Sequence, residues 1–349
     1  MFRAGFKGYI NLDVMQKKTR VIIVVNKYWE CDPVCWVLTN KYINEQCGIN
    51  LGGQLTCLTY PSYGPVKGIC PEASLPRLTF DTDERTIEVW CISDLLSGSP
   101  EELQSSSEEK MRLMPIIFEY DLHHKIELVV AVGTASSGPD VAHHPRFTSS
   151  NINGSVIIGS QVFMHNGGDE DSKSHYKCHS WNKLMASGST RFIEQLETID
   201  YSPYNQLMLC PPTNPATNGQ QIYVDKDFVA LGDVNVTDYK KYTEKDGETG
   251  AAFKAHYPKN KNGVSLETTH CLIYKAAKKH LNNQKPPFIF VSGEVDRYRM
   301  FANDVSPKVY AQNVSGAHNA GVAVALIVSK LTEITMLIER KEFVSQNMG

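Results

Sequence analysis

Four short apolar runs constrain the fold of this chain more than anything else in it: VIIVV at 21–25, IELVVAV at 126–132, SVIIG at 155–159 and FIFV at 288–291. Each is rich in β-branched or aromatic residues, too short for a helix, and flanked by polar residues, Gly or Pro. A run of that kind reads as a strand buried on both faces, as in a central parallel sheet. RTIEVWCIS at 85–93 alternates and adds a strand, and 219–239 reads as a strand pair ending in Gly-Asp. Between the strands lie helical patterns. Asp32 reads as an N-cap with Pro33 at the first helical position, and Ser99 with Pro100 opens an exposed helix with a polar middle. Residues 182–198 and 264–280 look helical, and a long helix starts near residue 315 and closes the chain. Strands alternating with helices define the α/β class. No repeat period and no linker divides the sequence, so one large domain over residues 1–349 is expected, an allowed size.

Composition narrows the function classes. The chain has 349 residues, 42% apolar and 21% charged, with net charge −3, which gives no global drive toward nucleic acid or an anionic membrane. The first residues, MFRAGFKGYINLDV, contain no uninterrupted apolar segment of the secretory type, and GVAVALIV is too short a run to span a bilayer. Nine cysteines, odd in number and scattered, argue against a disulfide framework and for a reduced, cytoplasmic setting. The Asn-x-Ser/Thr matches at Asn153, Asn235 and Asn313 are accidental in that setting. The pairs His123-His124 and His143-His144 lack the Cys or carboxylate spacing that completes a zinc site, so no metal is expected. Cys31 and Cys35, one turn apart beside Trp36, read as packing residues. Gly133 to Gly138 has Walker-like spacing, but Pro139 stands where a Lys is required. GGDEDSKSH, from residue 167, reads as a solvated loop.

In open α/β sheets, ligands bind beyond the carboxyl ends of the strands. The informative residues are therefore Asn26 to Glu30, Gly133 to Ser137, Phe163 to His165, Gly232 to Thr237 and Ser292 to Asp296, with Glu267 early in a helix. Three of these segments carry a resemblance. VAVGTASSGP (130–139) is similar to the Gly-Ser-Ala-Gly turn of the nucleoside phosphorylase and nucleosidase superfamily. VSLETTHCLIY (264–274) is similar to its Val-Glu-Met-Glu helix start, with Glu267 at the second acid. FIFVSGEVD (288–296) resembles its strand ending in Arg-Ala-Ile-Ser-Asp, with Asp296 at the terminal acid. Within the superfamily the chain most resembles the nucleosidases that cleave methylthioadenosine and S-adenosylhomocysteine.

The resemblance implies a single three-layer domain with a central mixed, mostly parallel twisted sheet flanked by helices. It implies an N-ribosyl hydrolase for a purine nucleoside or related nucleotide, without cofactor, in a homo-oligomer. Cleaving that bond builds positive charge on the sugar and negative charge on the departing base. Asp296 would act as the acid at purine N7, Glu267 would hold the ribose hydroxyls, and Glu30 would orient and deprotonate water, a carboxylate logic shared with glycosidases. Gly133, Thr134 and Ala135 would bring backbone amides to the sugar or nucleophile. Phe163 to His165 and Val234, Asn235 and Val236 would line the base and sugar, Gly293 would supply a turn delivering Asp296, and Glu294 would point elsewhere.

Departures from the family pattern bear on specificity. Ser292 stands for its Arg and Leu266 for its Met, both at substrate-binding positions. Val234-Asn235-Val236 replaces an aromatic, and segments 47–85 and 91–114 are atypical. Two rival functions remain: a phosphorylase, which needs a cationic oxyanion site, and a non-catalytic nucleoside-sensing module. Plainer residue roles also remain. Glu267 could satisfy backbone N–H groups at a helix start, Asp296 could cap a turn before Tyr298, and Glu30 could be a solvated acid beside Asp32.

Overall fold

The computed structural model describes residues 18–48, 55–56, 76–95, 107–121, 123–165, 181–185, 188–232, 262–267, 269–298 and 300–347. Its twelve strands are β1 (Thr19–Val25), β2 (Leu55–Thr56), β3 (Leu78–Asp81), β4 (Arg85–Cys91), β5 (Ile126–Ser137), β6 (Val156–Gly159), β7 (Gln161–His165), β8 (Trp181–Met185), β9 (Ile222–Val224), β10 (Val229–Gly232), β11 (Gly263–Leu266) and β12 (Phe288–Arg297). The α-helices are α1 (Tyr28–Thr39), α2 (Lys41–Gln46), α3 (Ile92–Leu95), α4 (Ser107–Phe118), α5 (Ser189–Leu196), α6 (His270–His280), α7 (Phe301–Asp304) and α8 (Val309–Asn347).

Among the described residues all twelve strands join one mixed sheet, with a main path β2-β3-β4-β1-β5-β11-β10-β7-β8 and a branch from β5 through β12 and β6 to β9. The β1 run is buried on both faces because its residues alternate between two cores. Val21, Ile23 and Val25 pack with α1, α5 and α8, while Ile22 and Val24 pack with α4 and α6. The result is the expected three layers, helices on both sides of the sheet. Helix α8 is long and apolar enough to cross a membrane by length and composition, but Ala320, Val322 to Val328 and Leu331 are packed against the sheet and α1 in the first core.

The fork at β5 positions the site. β1 pairs parallel with β5 up to Val25 opposite Val132, and β11 takes the same edge, antiparallel, only from Ser136. Gly133, Thr134 and Ala135 lie in the notch between them. On the other edge β12 runs parallel to β5, with a bulge at Val295 that brings Asp296 opposite Ser136. Such bulges re-aim side chains at sheet ends.

Several sequence expectations need correction. Helix α1 starts at Tyr28, so Pro33 lies inside it and Asp32 is no cap; Asp32 pairs instead with the buried Arg77, which also binds Asp94. The segment 182–198 contains β8, to Met185, and α5, whose N-cap is Gly188 with a φ of 81°. The segment 264–280 divides likewise into β11 and α6, so Glu267 precedes a helix rather than standing in one. Run 153–163 is two strands, broken at Ser160. Helix α8 begins at Val309, earlier than its apolar stretch suggested. Helix α4 is not simply an exposed helix, since Met114, Ile117 and Phe118 are fully buried; Ser99 and Pro100 fall outside the described residues. Gly293 makes no turn and sits within β12. A Cβ there would come within 1.9 Å of the Gly316 carbonyl oxygen, so its role is to let α8 press onto the strand.

Candidate active site

Helix α1 begins where β1 ends, which places Glu30 in its first turn, over the β5 notch. The carboxylate is buried and held by three donors. Oε2 accepts from Lys27 N at 3.0 Å, and Oε1 accepts from Thr134 N at 2.9 Å and Thr134 Oγ1 at 2.5 Å. The Thr134 amide is available because neither β1 nor β11 pairs with β5 at that residue. Burial pushes the Glu30 carboxyl upward, the nearby Glu267 charge pushes it further, and the three donors oppose the rise.

Glu267 lies between β11 and α6. Its Oε2 accepts from Thr269 N and His270 N, both at 2.6 Å, at the positive end of the helix. Its other oxygen faces β5: a Cβ on Gly133 would lie 3.5 Å from Oε1, Cδ and Cγ of Glu267. The Glu267 carboxylate thus packs directly over Gly133, within ordinary contact distance. Burial raises the Glu267 pKa, while the two amide donors and the Lys110 charge lower it.

Asp296, 2% exposed, accepts from Ser136 Oγ at 2.8 Å. Ser136 lies between Asp296 on β12 and Leu266 on β11 in the sheet register, so those two backbones are roughly 10 Å apart, two strand spacings. Glu267 follows Leu266 directly. The three acids, separated by up to 266 positions in sequence (296 − 30), thus gather around the carboxyl end of β5.

Beside them, Phe163, Val229, Leu231 and Leu266 form a small apolar cluster at the ends of β7, β10 and β11, with Tyr298 against it. Phe163 and Leu266 thus share one apolar cluster. Gly133, Thr134 and Ala135 line the notch. Ser292 is elsewhere: fully buried, it bonds Ser265 Oγ and His270 Nε2 behind the carboxylates. The His165 side chain and all of Val234, Asn235 and Val236 lie outside what is described.

Two cations went unread in the sequence. Lys27 caps α1 and stands over the Trp29 ring, its Nζ 5.6 Å from the ring centroid. Lys110 on α4 is buried; its pKa falls to about 8, chiefly through burial and then through Lys27, against the pull of Glu267 and Glu30. Lys27 follows Asn26 in a segment already marked by its strand. Lys110 had no such signal, because the polar middle of its helix looked solvated. Among the described residues no group of three or more His, Cys, Asp or Glu is arranged to hold a metal ion.

Fold and site together define an α/β domain with a carboxylate-lined notch at the carboxyl edge of its sheet. No family model matches the chain, and no curated protein matches it. Solved structures do. A Borrelia burgdorferi protein described as a 5′-methylthioadenosine/S-adenosylhomocysteine nucleosidase, bound to adenine, is similar at 11% identity over 88% of this chain and 98% of that one, TM-score 0.49. Arabidopsis thaliana 5′-methylthioadenosine nucleosidase is similar at 12% identity over 89% of this chain and 95% of that one, TM-score 0.48. The futalosine hydrolase of Helicobacter pylori is similar at 10% identity over 88% of this chain and 98% of that one, TM-score 0.44. These belong to the group that the three sequence segments resemble. With TM-scores below 0.5 they carry no residue role across, and the site is read from this chain's own contacts.

Proposed function

We propose that the chain is an N-ribosyl hydrolase that cleaves the glycosidic bond of a purine nucleoside or related nucleotide. The observation that carries this reading is the convergence of Glu30, Glu267 and Asp296 on the end of β5. In this reading Glu267, ionised and fixed through Oε2, turns Oε1 to the ribose hydroxyls and balances the cationic sugar of the transition state. Glu30, its pKa raised toward the working range of a general base, takes a proton from the attacking water. Thr134 holds the carboxylate in place for that task. Asp296 donates a proton to the base as it leaves, and Phe163 with Leu266 offers an apolar wall for the purine. Lys27 and Lys110 offset the charge of the clustered carboxylates.

The test is chromatographic detection of free base from a panel of nucleosides and nucleotides, with and without phosphate. Asp296→Asn is expected to lower base release by about 10²–10⁴-fold with thermal unfolding near wild type; full activity in that variant would remove the mechanism. One observation favours a second reading. Two lysine ammonium groups beside the carboxylates are what an oxyanion site needs, as in phosphorolysis. Ribose 1-phosphate formed only when phosphate is added would select it, and tight nucleoside binding without any turnover would select a sensing role instead.

A further inference from the structure

We propose that Ser265, Ser292 and His270 form a hydrogen-bonded chain behind the site that fixes His270 as the Nδ1–H tautomer facing Glu267. This rests on the reading of Glu267 as the ribose-facing carboxylate and makes His270 a positioning residue for it.

The sheet register builds the chain. Gly133, Ala135 and Ser137 alternate along β5, with Ser292 opposite Gly133 and Glu294 opposite Ala135 on β12, and Ser265 opposite Ser137 on β11. Across the end of β5 the Ser265 hydroxyl donates to Ser292 Oγ, with 2.8 Å between the two oxygens. Ser292 Oγ then lies 3.0 Å from His270 Nε2. The imidazole is fully buried, stacked on Phe290, and its Nδ1, with no hydrogen-bond partner of good alignment, lies 3.3 Å from Glu267 Oε2.

Glu294, fully buried near Ser265, has no hydrogen-bond partner at either carboxyl oxygen and takes no part in the chain. Proton positions follow in order. Ser265 donates to Ser292, which leaves the Ser292 proton for His270 Nε2 and the ring proton on Nδ1, against Glu267. The opposite order would set the Nδ1 lone pair against a carboxylate. No net proton transfer is involved. Burial drives the His270 pKa down to about 3, so the ring stays neutral and acts as a dipole. The other charges bearing on Glu267 are Glu30 and Lys27 from the β1–α1 junction and Lys110 from α4; on His270 the charge is Glu30.

Two measurements decide this. Nitrogen-15 NMR of the histidine-labelled wild type, with His270 assigned by its absence in His270→Asn, is expected to show a neutral Nδ1–H ring from pH 5.5 to 8. Ser292→Ala is expected to lose that single tautomer. An Nε2–H ring, or one that titrates in this range, overturns the proposal. In kinetics, His270→Phe is expected to move the acidic limb of kcat/KM upward by about one pH unit, the worth of one N–H donor to a carboxylate. His270→Asn, which can restore a donor at the Nδ1 position, is expected to return the limb toward wild type; one common limb in all three proteins overturns it. If no nucleoside is turned over, the hydrolase reading fails alone, since the NMR readout needs no substrate.

Discussion

Glu267 shows how one side chain leaves an oxygen for each of two readings that looked like alternatives. One oxygen satisfies backbone N–H groups at the start of α6, and the other faces the notch beside Gly133. Glu30 is likewise no solvated acid, because α1 starts early enough to bury it. These acids were legible because each follows an apolar run. Glu294 was not, since its significance lies in what surrounds it. It offers a stability prediction. Burial holds its folded pKa well above the ordinary carboxyl range. A carboxyl with a raised folded pKa stabilises the fold most below its unfolded pKa, and that stability is lost as pH rises toward the folded value. Glu294→Gln keeps the shape without the ionisation. Its melting temperature relative to wild type is expected to climb as pH is raised from 5 to 9; a constant difference would show that Glu294 does not titrate in the unfolded chain alone.

Among the elements, β12 and α8 are joined by close backbone contact. Gly293 lies against Gly316, and a Cβ on Gly316 would come within 2.5 Å of Val295 Cγ1. Gly293→Ala is expected to destabilise by about 3 kcal/mol or more, as overpacking of a rigid contact does, measured by chemical denaturation; a loss under 1 kcal/mol would mean the pair can part cheaply. On the other side of the sheet, the Arg20 fork binds Glu88 at 2.8 and 2.7 Å and the Asp121 carbonyl at 2.7 Å, while Trp90 Nε1 donates to Glu88 at 2.8 Å. This ties β1 to β4 and to the chain beyond α4. Arg20→Met strands a buried charge and is expected to cost about 3–5 kcal/mol, much of it recovered when Glu88→Gln is added. An equal loss in the double variant would assign the effect to packing alone. Strand segments were the legible elements, because β-branched runs buried on two faces admit little else. Helix starts were less so: Asp32-Pro33 is a sound local signal, overridden by Lys27 and Glu30 once β1 and β5 pair.

At the scale of the whole molecule, the proposed function rests on the fork that lets β1 and β11 share one edge of β5 with a gap between them. A ligand seated there binds only the folded chain. Free purine base at 100 times its Kd is expected to add about 2.7 kcal/mol to stability, seen as a raised melting temperature that Asp296→Asn diminishes. No shift with any purine or nucleoside would empty the site of its proposed occupant. The sequence by itself determined the class of fold, since short, continuous, branched apolar runs can be buried only between two layers of helix. It also determined which acids stand at strand ends, because that depends on order along the chain. Tertiary structure alone decided which of those acids meet, which cations approach them, and that Ser292 and Glu294 lie behind the site with His270. Those facts depend on strand register and on where β1, β11 and β12 leave or join β5, and neither is a property of any local stretch of residues.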